Sequence, residues 1–154
     1  MPGSFFDTNV LMYIASREAT KADRAEHLIE GGGTISVQVL NEMTHVARRK
    51  MRLSWEETDL FLMTIRELLT VRPLTVDIHD LGLTLAKRYR LSVYDAMIVA
   101  SALDAGCDSL WSEDMQDGMA IDGRLRIVNP LRKGVPFRPT RDGVCGLGTL
   151  YSQA

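Results

Sequence analysis

Cysteine is scarce in this chain: Cys107 and Cys145 are the only two among 154 residues. Two thiols so far apart make no disulfide scaffold, and a zinc site needs four closely grouped ligands. Histidine is equally thin. His27, His45 and His79 are scattered and form no HxxxH pattern. No apolar run approaches the roughly 20 residues needed to cross a bilayer, residues 96–100 being typical of the longest. The opening Met-Pro-Gly-Ser-Phe-Phe-Asp meets an acid at position 7 and has no basic segment before a long apolar one, so no secretory leader is expected. Catalytic signatures are missing too. There is no Gly-x-Ser-x-Gly elbow and no Ser-His-Asp order, and Gly31-Gly32-Gly33 lacks the Lys-Ser/Thr of a phosphate-binding loop. These absences lead to the expectation of a reduced, cytoplasmic protein with no membrane partner.

What remains is an ordinary globular composition, 45% apolar and 25% charged, in a chain long enough for a single domain with a real core. The formal net charge of −2 weighs against nucleic-acid binding. The basic residues are clustered, however. Arg48, Arg49, Lys50 and Arg52 form one group, and Arg124, Arg126, Arg132, Lys133, Arg138 and Arg141 outnumber the acids of the C-terminal part. If several acids are sequestered in one site, the remaining surface is more basic than the sum indicates.

Periodicity and punctuation give the elements. Strands are expected at residues 4–6, 34–37, 71–76 (an edge strand, because of Pro73), 109–111 and 125–128. Helices are expected over 10–15, 21–30, 39–49, from Ser54 to about Leu69, from Asp77 to near Tyr89, and over 96–105. Ser54 with Glu57 reads as a capping box, and Asp77 with Asp80 and Ser92 with Asp95 share that spacing. Strands alternating with helices predict an α/β fold. Its short, mainly parallel sheet of four to five strands would carry helices on both faces. Residues 1–133 form the expected domain, and 134–154, rich in Gly and Pro, an appendage with no assigned role.

The acids are the informative feature. In an open parallel sheet the site lies outside the carboxyl ends of the strands. Asp7 follows the first strand, Glu42 opens the helix after the second, Asp95 opens a late helix, and Asp114 and Asp117 follow the strand ending at Trp111. Each has a bland explanation: Asp7 as a helix cap, Glu42 as a solvated helix residue, Asp95 as a capping-box partner, Asp114 and Asp117 as turn formers before Gly118. Jointly the bland explanations weaken. Carboxylates about 4 Å apart repel by about 4 kcal/mol at an effective dielectric near 20, so such a rim needs protons or a cation. Oxygen ligands without His or thiolate point to Mg²⁺ or Mn²⁺, and so to metal-assisted hydrolysis.

Phe6-Asp7-Thr8-Asn9-Val10-Leu11, Ser36-Val37-Gln38-Val39-Leu40-Asn41-Glu42, Tyr94-Asp95-Ala96-Met97-Ile98-Val99-Ala100 and Ser112-Glu113-Asp114-Met115-Gln116-Asp117-Gly118 together resemble the PIN-domain nucleases, and among them VapC-like toxins. The resemblance spans about residues 4–130. It implies a Mg²⁺-dependent endoribonuclease, with Mn²⁺ able to substitute, acting on structured RNA such as transfer RNA. It implies a homodimer, and a cognate antitoxin whose C-terminal segment lies over the active groove. Asp7, Glu42 and Asp95 match the family's three core acids, Asp114 the fourth and Asp117 an accessory acid. Thr8 and Asn9 match positions that orient the first carboxylate, and Ser112 a supporting hydroxyl. Arg48 and Arg49 are candidate RNA contacts, with a solvated helix end the alternative.

Two other readings fit less well. A haloacid-dehalogenase-type phosphatase needs Asp-x-Asp where this chain has Asp7-Thr8-Asn9, and a phosphorelay receiver needs a mid-chain acceptor Asp and a late Lys. A non-enzymatic role, binding a partner with catalysis vestigial, is the third alternative. The intact set of four acids argues against it.

Overall fold

Phe5 and Phe6 are neighbours in the first strand, and neither has any exposed surface. Adjacent strand residues point to opposite faces, so a sheet that buries both must be covered on both sides. The computed structural model, which describes residues 3–132, has this arrangement. In chain order it contains β1 (Gly3–Phe6), α1 (Thr8–Met12), a 3₁₀ turn (Tyr13–Ala15), α2 (Ala19–Ile29), β2 (Thr34–Ser36) and α3 (Val37–Arg49). There follow α4 (Trp55–Leu68), β3 (Thr70–Arg72), α5 (Val76–Tyr89), α6 (Val93–Asp104), β4 (Cys107–Trp111), β5 (Ala120–Ile121) and β6 (Leu125–Val128).

The six strands lie in the order β3-β2-β1-β4-β6-β5, all pairings parallel except β5 with β6. From β1 the chain builds outward through β2 to β3, then returns to place β4 on the other side of β1. The crevice between the carboxyl ends of β1 and β4 is therefore the switch point, where α/β folds bind ligands. α6, buried from Ala96 through Leu103, packs against β2, β4 and α5. Gly82 permits the α5–α6 approach, since a Cβ there would stand 2.7 Å from the Met97 sulfur. At the entry to β2, Gly33 has φ +152°, and an added Cβ would run into the Phe6 ring.

Several expectations are adjusted. The sheet has six strands because β5 adds a two-residue ladder, closed by a turn with Asp122 and Gly123 both at positive φ. Asp-Gly is a strong hairpin signal, but a two-residue strand has no periodicity to read. The strand expected over 71–76 is shorter, Thr70–Arg72, though it is an edge strand. Pro73 ends it, and Thr75 rather than Asp77 caps α5, accepting from Ile78 N–H at 3.2 Å. The first helix begins at Thr8 and tightens into the 3₁₀ turn at Tyr13. On α4 both capping-box bonds form, and Phe61 and Ile65 face the core while Leu60 and Met63 are exposed. The appendage expected from residue 134 lies outside the described residues, as do Lys133, Arg138 and Arg141. No helix among the described residues is long and apolar enough to cross a membrane.

Candidate active site

Asp7 stands at the switch point. Its backbone N–H donates to Trp111 C=O at 3.0 Å, extending the β1–β4 ladder by one residue. Its side chain, 5% exposed, is held on both oxygens. Oδ1 accepts from the Thr8 N–H at 2.7 Å, and Oδ2 from the Ser112 hydroxyl at 2.7 Å and from Asn9 Nδ2 at 3.3 Å. Ser112, fully buried just after β4, also accepts from Met115 N–H at 3.3 Å, so its hydroxyl cannot swing away. Burial raises the Asp7 pKa to about 6, opposed by the Ser112 and Thr8 bonds and helped by the charges of Asp95 and Glu42.

Glu42 enters from α3. The Thr8 hydroxyl donates to its Oε2 at 2.7 Å, and Gln38, one helical turn earlier, donates to its Oε1 at 2.8 Å. Gln38 also donates to the Tyr94 C=O at 3.1 Å, which ties α3 to the start of α6. Asp95 is half-buried in the first turn of α6, beside its cap Ser92. Its pKa is raised by burial, lowered by the Ser92 hydroxyl, and raised again by Asp114 and Glu42. Asp114 is exposed and accepts from Asn9 Nδ2 at 3.0 Å. Asn9 thus bridges Asp7 and Asp114, while its Oδ1 accepts the Glu113 N–H at 3.2 Å.

Asp7, Glu42, Asp95 and Asp114 line one open cleft of about 1200 Å³, with Thr8, Asn9 and Gln38. Four segments contribute one acid each. The remaining expected residues stand elsewhere. Asp117 accepts from Asn129 N–H at 2.8 Å and pairs with Arg132 at 3.3 Å, fastening the segment after β6. Arg48 donates to Leu53 C=O and stacks on the Trp55 ring, and neither it nor the exposed Arg49 lines the cleft. Among the described residues, no three His, Cys, Asp or Glu side chains close into a metal-ligating group on their own.

The sequence matches the family model described as PIN domain over residues 4–118, most of the chain. The chain belongs to the PIN domain family. All four acids, Thr8, Asn9 and Ser112 fall inside that match. Three solved structures share the PIN-like fold. A toxin–antitoxin complex from Klebsiella pneumoniae has TM-score 0.62 at 22% identity, over 82% of this chain and 97% of that one. VapC20 of Mycobacterium tuberculosis, a Sarcin-Ricin loop cleaving toxin, has TM-score 0.59 at 18% identity, over 72% and 91%. VapBC2 of Rickettsia felis, bound to a DNA fragment from its promoter, has TM-score 0.60 at 17% identity, over 80% and 96%. No curated protein matches the sequence.

Within this PIN domain, sequence reasoning overlooked Gln38 and the Tyr13–Glu113 pair. Gln38 was findable: it precedes Glu42 by four residues, so the two share a helix face. Tyr13 donates its hydroxyl to Glu113 across a separation of 100 residues. Burial, with that contact, pushes its pKa far up. No local pattern announces such a pair.

Proposed function

We propose that this PIN domain is a metal-dependent endoribonuclease and the toxin of a toxin–antitoxin pair, with Asp7, Glu42, Asp95 and Asp114 as its catalytic acids. The observation that carries the reading is the convergence of those four carboxylates from four segments on the switch-point cleft. A buried acid, Asp7, with the half-buried Asp95 and further carboxylates around it is an unfavourable arrangement for a mere scaffold, and such groupings recur where charge is used.

The donor set fits a hard divalent cation: it is all oxygen, with no thiolate or imidazole at the four acids. Mg²⁺ keeps several waters and needs only one or two carboxylates. Asp7 and Asp95 would hold the principal ion, with Glu42 and Asp114 completing its surroundings directly or through water. When bound, such an ion would polarise a phosphoryl oxygen and lower the pKa of a water nucleophile.

The chain's own groups do the rest. Ser112, Thr8 N–H and Asn9 fix both oxygens of Asp7, so its carboxylate cannot rotate out of register. Thr8 and Gln38 do the same for Glu42. Hydrolysis would leave a 5′-phosphate and a 3′-hydroxyl. Support for the toxin role comes from the three fold relatives, each a toxin or a toxin–antitoxin complex. The cognate antitoxin, the homodimer and the cytoplasmic setting belong to the same proposal. Exposed Trp55, Leu60 and Met63 on α4 are apolar surface that a second chain would cover.

The test is cleavage of total cellular RNA by the purified chain with and without Mg²⁺, beside Asp7→Asn. Mg²⁺-dependent cleavage by the wild type alone is expected. Equal cleavage by both proteins would mark a contaminant, and no cleavage by a folded wild type would favour the binding-only alternative.

A further inference from the structure

Acids alone do not hold an RNA strand, which is itself an anion. The cations expected to do so, Arg48 and Arg49, do not line the cleft, but other groups do. Lys21 on α2, which also pairs with Glu18 at 3.7 Å, His45 on α3 and Lys50 at the end of α3 all line it, as does Tyr94. His45 is one turn beyond Glu42, and Lys50 about 12 Å along the axis from it, at 1.5 Å per residue. Along α3 the cleft wall therefore passes from an acid to basic groups. Tyr94 immediately precedes Asp95 and is 72% exposed. Its backbone is not loose, because Gln38 grips its carbonyl with the same amide that holds Glu42. An aromatic ring kept in water beside a catalytic acid has forgone burial while its backbone is clamped in place.

Resting on the nuclease reading, we propose that Tyr94 is a stacking platform for an unpaired base next to the scissile phosphate, and that Lys21, His45 and Lys50 carry the adjoining backbone. A base can lie on an exposed ring only when it is out of a helical stack, so the target is an unpaired segment, including a loop within a structured RNA. The two lysines then supply the phosphate contacts that the net charge of −2 does not.

The test compares wild type, Tyr94→Ala, Tyr94→Phe and Lys50→Ala on a short fluorescent RNA, single-stranded or annealed to its complement. Tyr94→Ala should raise KM roughly 5- to 100-fold with kcat changed far less, and Tyr94→Phe, which keeps the ring, should restore most of the loss. Annealing should suppress cleavage. Binding to Asp7→Asn protein, which holds RNA without cutting it, should lose about 0.7 of its log–log salt slope when Lys50→Ala is added. Wild-type KM in Tyr94→Ala, or equal cleavage of the annealed RNA, overturns the proposal while leaving the nuclease reading intact. Wild-type KM joined to loss of antitoxin binding would assign the ring to a protein partner instead. A wild type that neither cuts nor binds RNA removes both readings.

Discussion

Asp7 is the residue at which folding and function pull apart. Its carboxyl titrates near 6 in the fold and at 3.8 in the free state, so the folded chain holds its proton the more tightly. The sign follows: stability from this group is full below pH 3.8 and is lost as pH rises through about 6. The shift corresponds to about 3 kcal/mol at most, to order of magnitude. Asp95 is shifted the same way. Metal-free protein in chelator should therefore melt several degrees higher at pH 5 than at pH 7.5. In Asp7→Asn the difference should shrink and the pH 7.5 melting temperature should rise. A melting temperature that falls on acidification over this range would contradict the burial of the Asp7 carboxyl. Ser112 works in the opposite direction, as the donor that keeps Asp7 ionisable. Ser112→Ala should cost about 1–3 kcal/mol in chemical denaturation, because it removes a buried partner of a charged group, and should depress cleavage further than stability alone explains.

At the scale of elements, the fold was legible wherever local chemistry and tertiary packing agreed. Ser54 and Glu57 read as a cap and form both bonds; Ser54→Ala should cost about 1 kcal/mol and leave cleavage per folded molecule unchanged. Phe5-Phe6 before Asp7, and Leu110-Trp111 before Ser112, marked the two strands that flank the switch point. Less legible were features decided by side-chain contacts that no spacing rule announces. Thr75 displaced Asp77 as a cap: its hydroxyl accepts the Ile78 N–H at 3.2 Å, and Asp77 stands inside the first turn. Arg48, in a basic run, was drawn onto Trp55 and the Leu53 carbonyl, which no count of charges discloses. Gly33 carried no periodic signal, yet Phe6 occupies the space its side chain would need. Gly33→Ala should destabilise by about 1–3 kcal/mol, read from the urea midpoint, and should shift β2 against β1. A neutral result would mean that the β2 entry relaxes freely.

For the molecule as a whole, topology explains why the acids meet. Reversal of strand order between β1 and β4 opens a crevice, Asp7 lines it with Ser112 bonded behind, and α3 and α6 bring Glu42 and Asp95 to the same cleft. The order of the motifs in the sequence carried this information, and the resemblance gave Asn9 as a residue orienting Asp7; its second bond, to Asp114, and the Gln38 bond to Glu42 came from the three-dimensional arrangement. Such an array should bind a divalent ion before any RNA arrives. The direct measurement is Mn²⁺ titration of the metal-free protein, followed by the electron paramagnetic resonance signal of the free ion. Wild type should suppress that signal until one or two equivalents are bound, and Asp7→Asn and Asp95→Asn should leave it nearly at full height. A correctly folded wild type that leaves the free-ion signal undiminished would contradict the account.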